Sequence, residues 1–106
     1  MPWYLYLAYF FGGAFLANAV PHLLPGIAPR PFPTPFASPP FRGLSSPAVN
    51  LAWALANLAV AYLLLFRVRA IDVRQWSHLA FVLAGFALMA FQVTRSLRRL
   101  RAAAPS

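Results

Sequence analysis

Hydrophobic positions along the chain fall into three blocks, residues 3–20, 48–66 and 77–94, and no Asp, Glu, Lys or Arg interrupts any of them. Each block is 18 or 19 residues long. At 1.5 Å per residue, a helix of that length reaches about 27–29 Å, close to the ~30 Å hydrocarbon core of a bilayer. The pattern predicts an all-α integral membrane protein, a single membrane domain over residues 1–106 with three transmembrane helices at about 3–20, 47–66 and 73–95. A long Pro-rich interfacial loop, residues 21–46, would join helices one and two, and a basic tail would occupy 96–106.

The boundaries follow from local signals. Pro21 disfavours the α conformation at Val20, and Pro25 follows, so helix one is expected to stop at residue 20. Ser46-Pro47 marks the start of helix two, with serine as N-cap and proline at the first helical position. Asp72-Val-Arg-Gln75 reads as a capping box ahead of helix three. The short connection before it predicts that helices two and three form a tight antiparallel hairpin. Ala17-Asn18-Ala19 has the small-x-small pattern of a signal-peptide cleavage site. The residues before it carry no Lys or Arg, however, so the first block is read as a retained helix.

Between the first two blocks, residues 21–47 hold nine of the eleven prolines. A disordered linker would be polar, whereas this one carries Leu23, Leu24, Ile27, Phe32, Phe36, Phe41 and Leu44. Irregular backbone cannot face lipid tails without leaving amides unpaired. The expected arrangement is an extended loop at headgroup level with its phenylalanines dipping toward the helix ends.

Charge then sets an orientation. Nine arginines stand against one aspartate, for a net charge of +8 with no lysine. They flank the apolar blocks instead of forming the basic face of a soluble domain, which excludes a nucleic-acid partner. Arg67, Arg69 and Arg74 lie on the side of the second connection; Arg30, Arg42, Arg95, Arg98, Arg99 and Arg101 lie on the side of the loop and tail. The bias places the N-terminus outside and the C-terminus in the cytoplasm, in a bacterial inner membrane, with Trp3, Tyr4, Tyr6, Tyr62 and Trp76 as an aromatic belt at the outer interface.

Candidate chemistry is sparse. There is no cysteine, which removes disulfides, thiolate metal sites and cysteine catalysis. His22 and His78 belong to opposite ends of the predicted bundle, so no metal and no cofactor is expected. The polar residues of interest are Asn18, His22, Asn50, Asn57, Gln92 and Arg95, with Arg30 and Arg42 from the loop. Asn50 and Asn57 share a helix face, because seven residues bring the chain round. As structural residues they are interhelical hydrogen-bond donors and acceptors, worth about 0.6–2 kcal/mol each. As functional residues they would line a polar pocket beneath the loop, suited to an anionic lipid headgroup. Gly12-Gly13, Ala52-x-x-x-Ala56 and Gly85 offer small-residue seams for close helix packing.

The strings Asn18-Ala-Val-Pro-His22, Phe32-Pro-Thr-Pro-Phe-Ala37 and Gly43-Leu-Ser-Ser-Pro47, followed by Asn50, Trp53 and Asn57, resemble a family of small three-helix bacterial membrane proteins. The resemblance brings no activity, cofactor or catalytic residue; it implies that the loop is a definite motif. The expected function is therefore non-enzymatic: an accessory subunit of a larger membrane complex or a homo-oligomer, binding membrane lipids through their anionic headgroups. The alternatives are a pore former, which the three-helix phage holins resemble in length and basic tail, or a small channel or transporter, and then a lipid-acting enzyme working through His22. The tail arginines are expected to hold anionic lipid at the surface.

Overall fold

In the computed structural model, which describes residues 2–27 and 45–103, the chain forms three helices: α1 (Trp3–Ile27), α2 (Pro47–Tyr62) and α3 (Trp76–Ala103). A short π-helical turn, Leu63–Arg67, extends α2. Three segments, Trp3–Leu24, Pro47–Arg67 and Trp76–Arg99, are long and apolar enough to cross a membrane. The Pro-rich loop over 28–44, with Arg30 and Arg42, lies outside the described residues, as does the end of the tail.

α1 does not stop at Val20. It continues through Pro21 and Pro25 to Ile27. A proline inside a helix costs about 3 kcal/mol in water. Here the extended helix gains contacts with α2 that offset part of that cost, His22 on Asn50 among them. The extension also keeps His22 on the helical face of Asn18, four residues earlier, and that face is used.

The order of packing is the second departure from expectation. α1 lies between the other two helices, packing on α2 and its π turn on one flank and on α3 on the other, while α2 and α3 do not touch. Helices two and three therefore do not form a packed hairpin. The chain runs up-down-up: α1 pairs antiparallel with α2 (Asn18 with Asn57, His22 with Asn50) and parallel with α3 (Tyr6 beside Phe81, Phe10 beside Gly85). Composition explains why α1 takes the middle. Ala8, Gly12, Gly13, Ala14, Ala17 and Ala19 are all buried, and their small side chains let a neighbour approach on either flank.

The two flanks are closed differently. A Cβ on Gly13 would fall on the Val82 carbonyl oxygen, and one on Gly85 on the Phe10 carbonyl oxygen, so α1 and α3 meet backbone to backbone. α2 presents a stripe, Asn50, Ala54, Asn57 and Ala61, that is buried along its whole length. The π turn adds Leu65 to this stripe and sets it against Gly12. The i→i+5 bond of the π turn, from the Val68 amide to the Leu63 carbonyl, is 3.1 Å. One extra residue per turn rotates the following chain and brings the Ile71 amide back onto the Leu65 carbonyl at 2.8 Å.

The turn before α3 also differs from a capping box. α3 begins at Trp76, later than residue 73. The Asp72 carboxylate accepts from the Arg74 amide (3.0 Å) and from Arg74 Nε (3.1 Å). The Asp72 amide, which a box would give to Gln75, donates instead to His78 Nδ1 at 3.0 Å. The Arg74 contacts, with a smaller contribution from the Gln75 side chain, hold the Asp72 carboxyl below its ordinary value.

Candidate functional site

The polar side chains singled out from the sequence separate into two groups. Asn18, His22, Asn50 and Asn57 come together between α1 and α2. Gln92 and Arg95 stand exposed on α3, on the other flank of α1. Arg30 and Arg42 are outside the described residues.

Within the first group the connectivity is definite. Asn18 Nδ2 donates to Asn57 Oδ1 (3.0 Å), and Asn57 Nδ2 donates in turn to the Trp53 carbonyl (2.8 Å). One end of the ladder lies toward the start of α2. There Asn50 Nδ2 reaches the Ser45 and Ser46 carbonyls at 3.2 and 3.1 Å. That orients the Asn50 oxygen toward His22 Nδ1, 2.9 Å away, and assigns the hydrogen of this contact to the imidazole. Trp53 packs edge-on against the His22 ring, with centroids 6.4 Å apart. Ser46 caps α2 as its sequence position suggests, its hydroxyl accepting from the Val49 amide at 3.2 Å.

Asn50 and Asn57 are essentially inaccessible, at 0% and 2% exposure. Asn57 is ten residues from either end of Pro47–Arg67, so it lies at the middle of the span, about 15 Å from each end. Burying an amide that deep is tolerable only if its donors and acceptor are used, and among the described residues no buried side-chain nitrogen or oxygen lacks a partner. The arrangement is a neutral amide–imidazole ladder. It holds no carboxylate, and the one acid in the chain, Asp72, sits in the turn before α3. An amide cannot take up or release a proton near neutrality, so Asn50 orients the His22 ring without making an acid–base pair of it.

No protein-family model matches this chain, and no curated protein or solved structure is detectably similar to it.

A second cluster, at the opposite end of α1, is not singled out by the sequence pattern. Tyr9, fully buried, donates to the Arg69 carbonyl at 3.0 Å. Its ring lies 4.6 Å from that of His78, which is itself buried and receives the Asp72 amide. Leu5, Tyr9 and Leu65 form the apolar core here, with Ile71 and Val82 against it. Thirteen residues of α1 separate Tyr9 from His22, about 20 Å along the axis, so the two histidines serve opposite ends of the molecule. Tyr9 is one of many aromatic residues in the first block, and nothing in local spacing distinguishes it. Its partner is a backbone carbonyl 60 residues away. Among the described residues no three His, Asp or Glu side chains converge as a metal set would require.

Proposed function

We propose that this chain is a small integral membrane protein that crosses the bilayer three times and acts without catalysis, by assembly in the membrane plane as an accessory subunit or a homo-oligomer. The observation that carries this reading is the pairing of the buried polar groups with one another. Asn18, His22, Asn50 and Asn57 fasten α1 to α2, and each is engaged in a hydrogen bond there. A channel would turn such side chains toward water, and an enzyme would leave at least one of them directed at a substrate.

The membrane reading draws on two further features. Trp3, Tyr4, Tyr62 and Trp76 are exposed at one end of the helices, as an interfacial belt would be. Arg95, Arg98 and Arg99 are exposed at the other. α3, at 28 residues or about 42 Å, outreaches a ~30 Å core and carries those arginines beyond it. The arginine distribution favours an N-terminus outside and a tail in the cytoplasm of a bacterial inner membrane.

Native purification followed by mass measurement tests the assembly. One stoichiometric membrane partner or one defined oligomer is expected. A bare monomer would overturn the reading, and abrupt permeabilisation of cells on induced expression would replace it with a pore former. For orientation, Ser106→Cys is expected to resist an impermeant thiol reagent in intact cells; labelling there would reverse the topology.

A further inference from the structure

Between α1 and α3 runs a groove of about 450 Å³, within the ~300–1,000 Å³ range of small-molecule sites. Phe11 and Phe15 wall it from α1; Gly85, Leu88, Met89 and Gln92 wall it from α3. The lining is apolar except for Gln92. Phe11 and Leu88 are about half exposed, so the groove opens sideways, toward where lipid would lie.

The helical repeat makes this groove part of something longer. Gln92, Arg95 and Arg99 are three and seven residues apart and share one face of α3, continuing the line of Gly85, Leu88 and Met89. Read along that face, the surface passes from hydrocarbon to an amide about 10 Å further on, and to guanidinium groups about 5 and 10 Å beyond that. A phospholipid has the same order of chemistry: acyl chain, ester carbonyl, phosphate. The amide nitrogen of Gln92 can donate to a carbonyl, and the arginine forks match a phosphate.

The geometry points to a binding site for one anionic phospholipid, its acyl chain in the α1·α3 groove, its ester carbonyls at Gln92 and its phosphate between Arg95 and Arg99. Charge decides against a second copy of this chain as occupant. The chain holds nine arginines and one acid, and that acid is in the turn before α3, at the far end of the helix. A copy docked along this face in the same membrane orientation would bring no acidic side chain to the arginines. The site rests on the membrane-spanning reading and places the lipid contact on α3, away from the paired amides of α1 and α2.

Native mass spectrometry of the full chain, released from nanodiscs of mixed phosphatidylglycerol and phosphatidylcholine, tests the site. One retained phosphatidylglycerol per chain is expected. Arg95→Gln and Arg99→Gln should each lower its retention relative to phosphatidylcholine roughly fivefold. Arg98→Gln, which points off this face, should leave it nearly unchanged. Equal losses from all three variants would mean diffuse attraction to a basic tail and would overturn the site. Ala14→Phe fills the groove without touching charge and should abolish retention of the lipid. Retention undiminished in that variant would also overturn it, as would a second protein chain crosslinked at Leu88. The same spectra report protein stoichiometry, so loss of the lipid with the assembly intact separates failure of this site from failure of the assembly reading.

Discussion

The two flanks of α1 solve the same problem with opposite chemistry. Toward α2 the contact is polar, a ladder of amides and an imidazole that is satisfied atom by atom. Toward α3 it is steric: two glycines let the backbones approach until each would-be Cβ meets a carbonyl. In lipid, apolar burial gives little net drive for helices to associate, because acyl chains are as apolar as leucine. What remains is hydrogen bonding and dispersion at close range, and this molecule assigns one to each side. The polar flank tolerates changes of shape but not loss of a partner. The steric flank tolerates changes of polarity but not added volume.

The largest effect is expected where volume is added against backbone. Gly85→Ala or Gly13→Ala should cost about 1–3 kcal/mol, since a carbonyl cannot move aside as a side chain can. Disulfide formation in a Tyr6→Cys/Phe81→Cys pair, readable because the chain has no cysteine of its own, should fall in these backgrounds. Gly12→Ala meets the mobile end of Leu65 and should affect that crosslink little. If all three substitutions behaved alike, the distinction between the flanks would fail.

On the polar flank, Asn18→Ala and Asn57→Ala should each destabilise the α1·α2 pair. A double-mutant cycle should return a coupling of about 0.6–2 kcal/mol, measured by steric trapping in micelles or bicelles. Additive losses would show that the two amides are not bonded to each other. Tyr9→Phe, which removes only the hydroxyl reaching the Arg69 carbonyl, should cost about 1 kcal/mol. It should leave ring packing on His78 intact and accelerate amide exchange in the turn after residue 67.

The smallest effect belongs to Asp72, outside both flanks. Because Arg74 holds its carboxyl below the ordinary value, the Asp72 contribution to stability is present above about pH 4 and is lost as pH falls through the lowered folded value. The acid limb of a stability profile should be shallower in Asp72→Asn, with the Tyr6–Phe81 crosslink unchanged.

The three apolar spans, the Ser46 cap, the shared face of Asn50 and Asn57 and the small-residue seam at Gly12-Gly13 were all legible in the sequence, because each depends on local spacing alone. The prolines misled because the steric preference against the α conformation before proline is a bias that packing can override, and His22 gains its contact with Asn50 only if the helix goes on. At Pro21 and Pro25 the helix continues instead. The central place of α1 was hidden because adjacency in sequence favours pairing α2 with α3, and only the distribution of small residues on both flanks of α1 argues otherwise. The π turn at Leu63–Arg67 left no mark in a run of leucines, and the Tyr9–Arg69 contact depends on that turn. Within the candidate site, residue types pointed to the polar set and to hydrogen bonding between helices, but not to which members would pair or that Gln92 and Arg95 would stand apart on α3.

Because α1 alone touches both neighbours, the order of synthesis and the order of docking coincide. The helix made before the others is the template on which each is laid. α2 can settle against it while α3 is still being translated, since nothing α2 needs is contributed by α3. α3 then joins a pair already registered by its amides, through the close glycine contact and the packing of His78 on Tyr9. A delayed third helix thus leaves behind a half-built molecule in which the hydrogen bonds between α1 and α2 can already close.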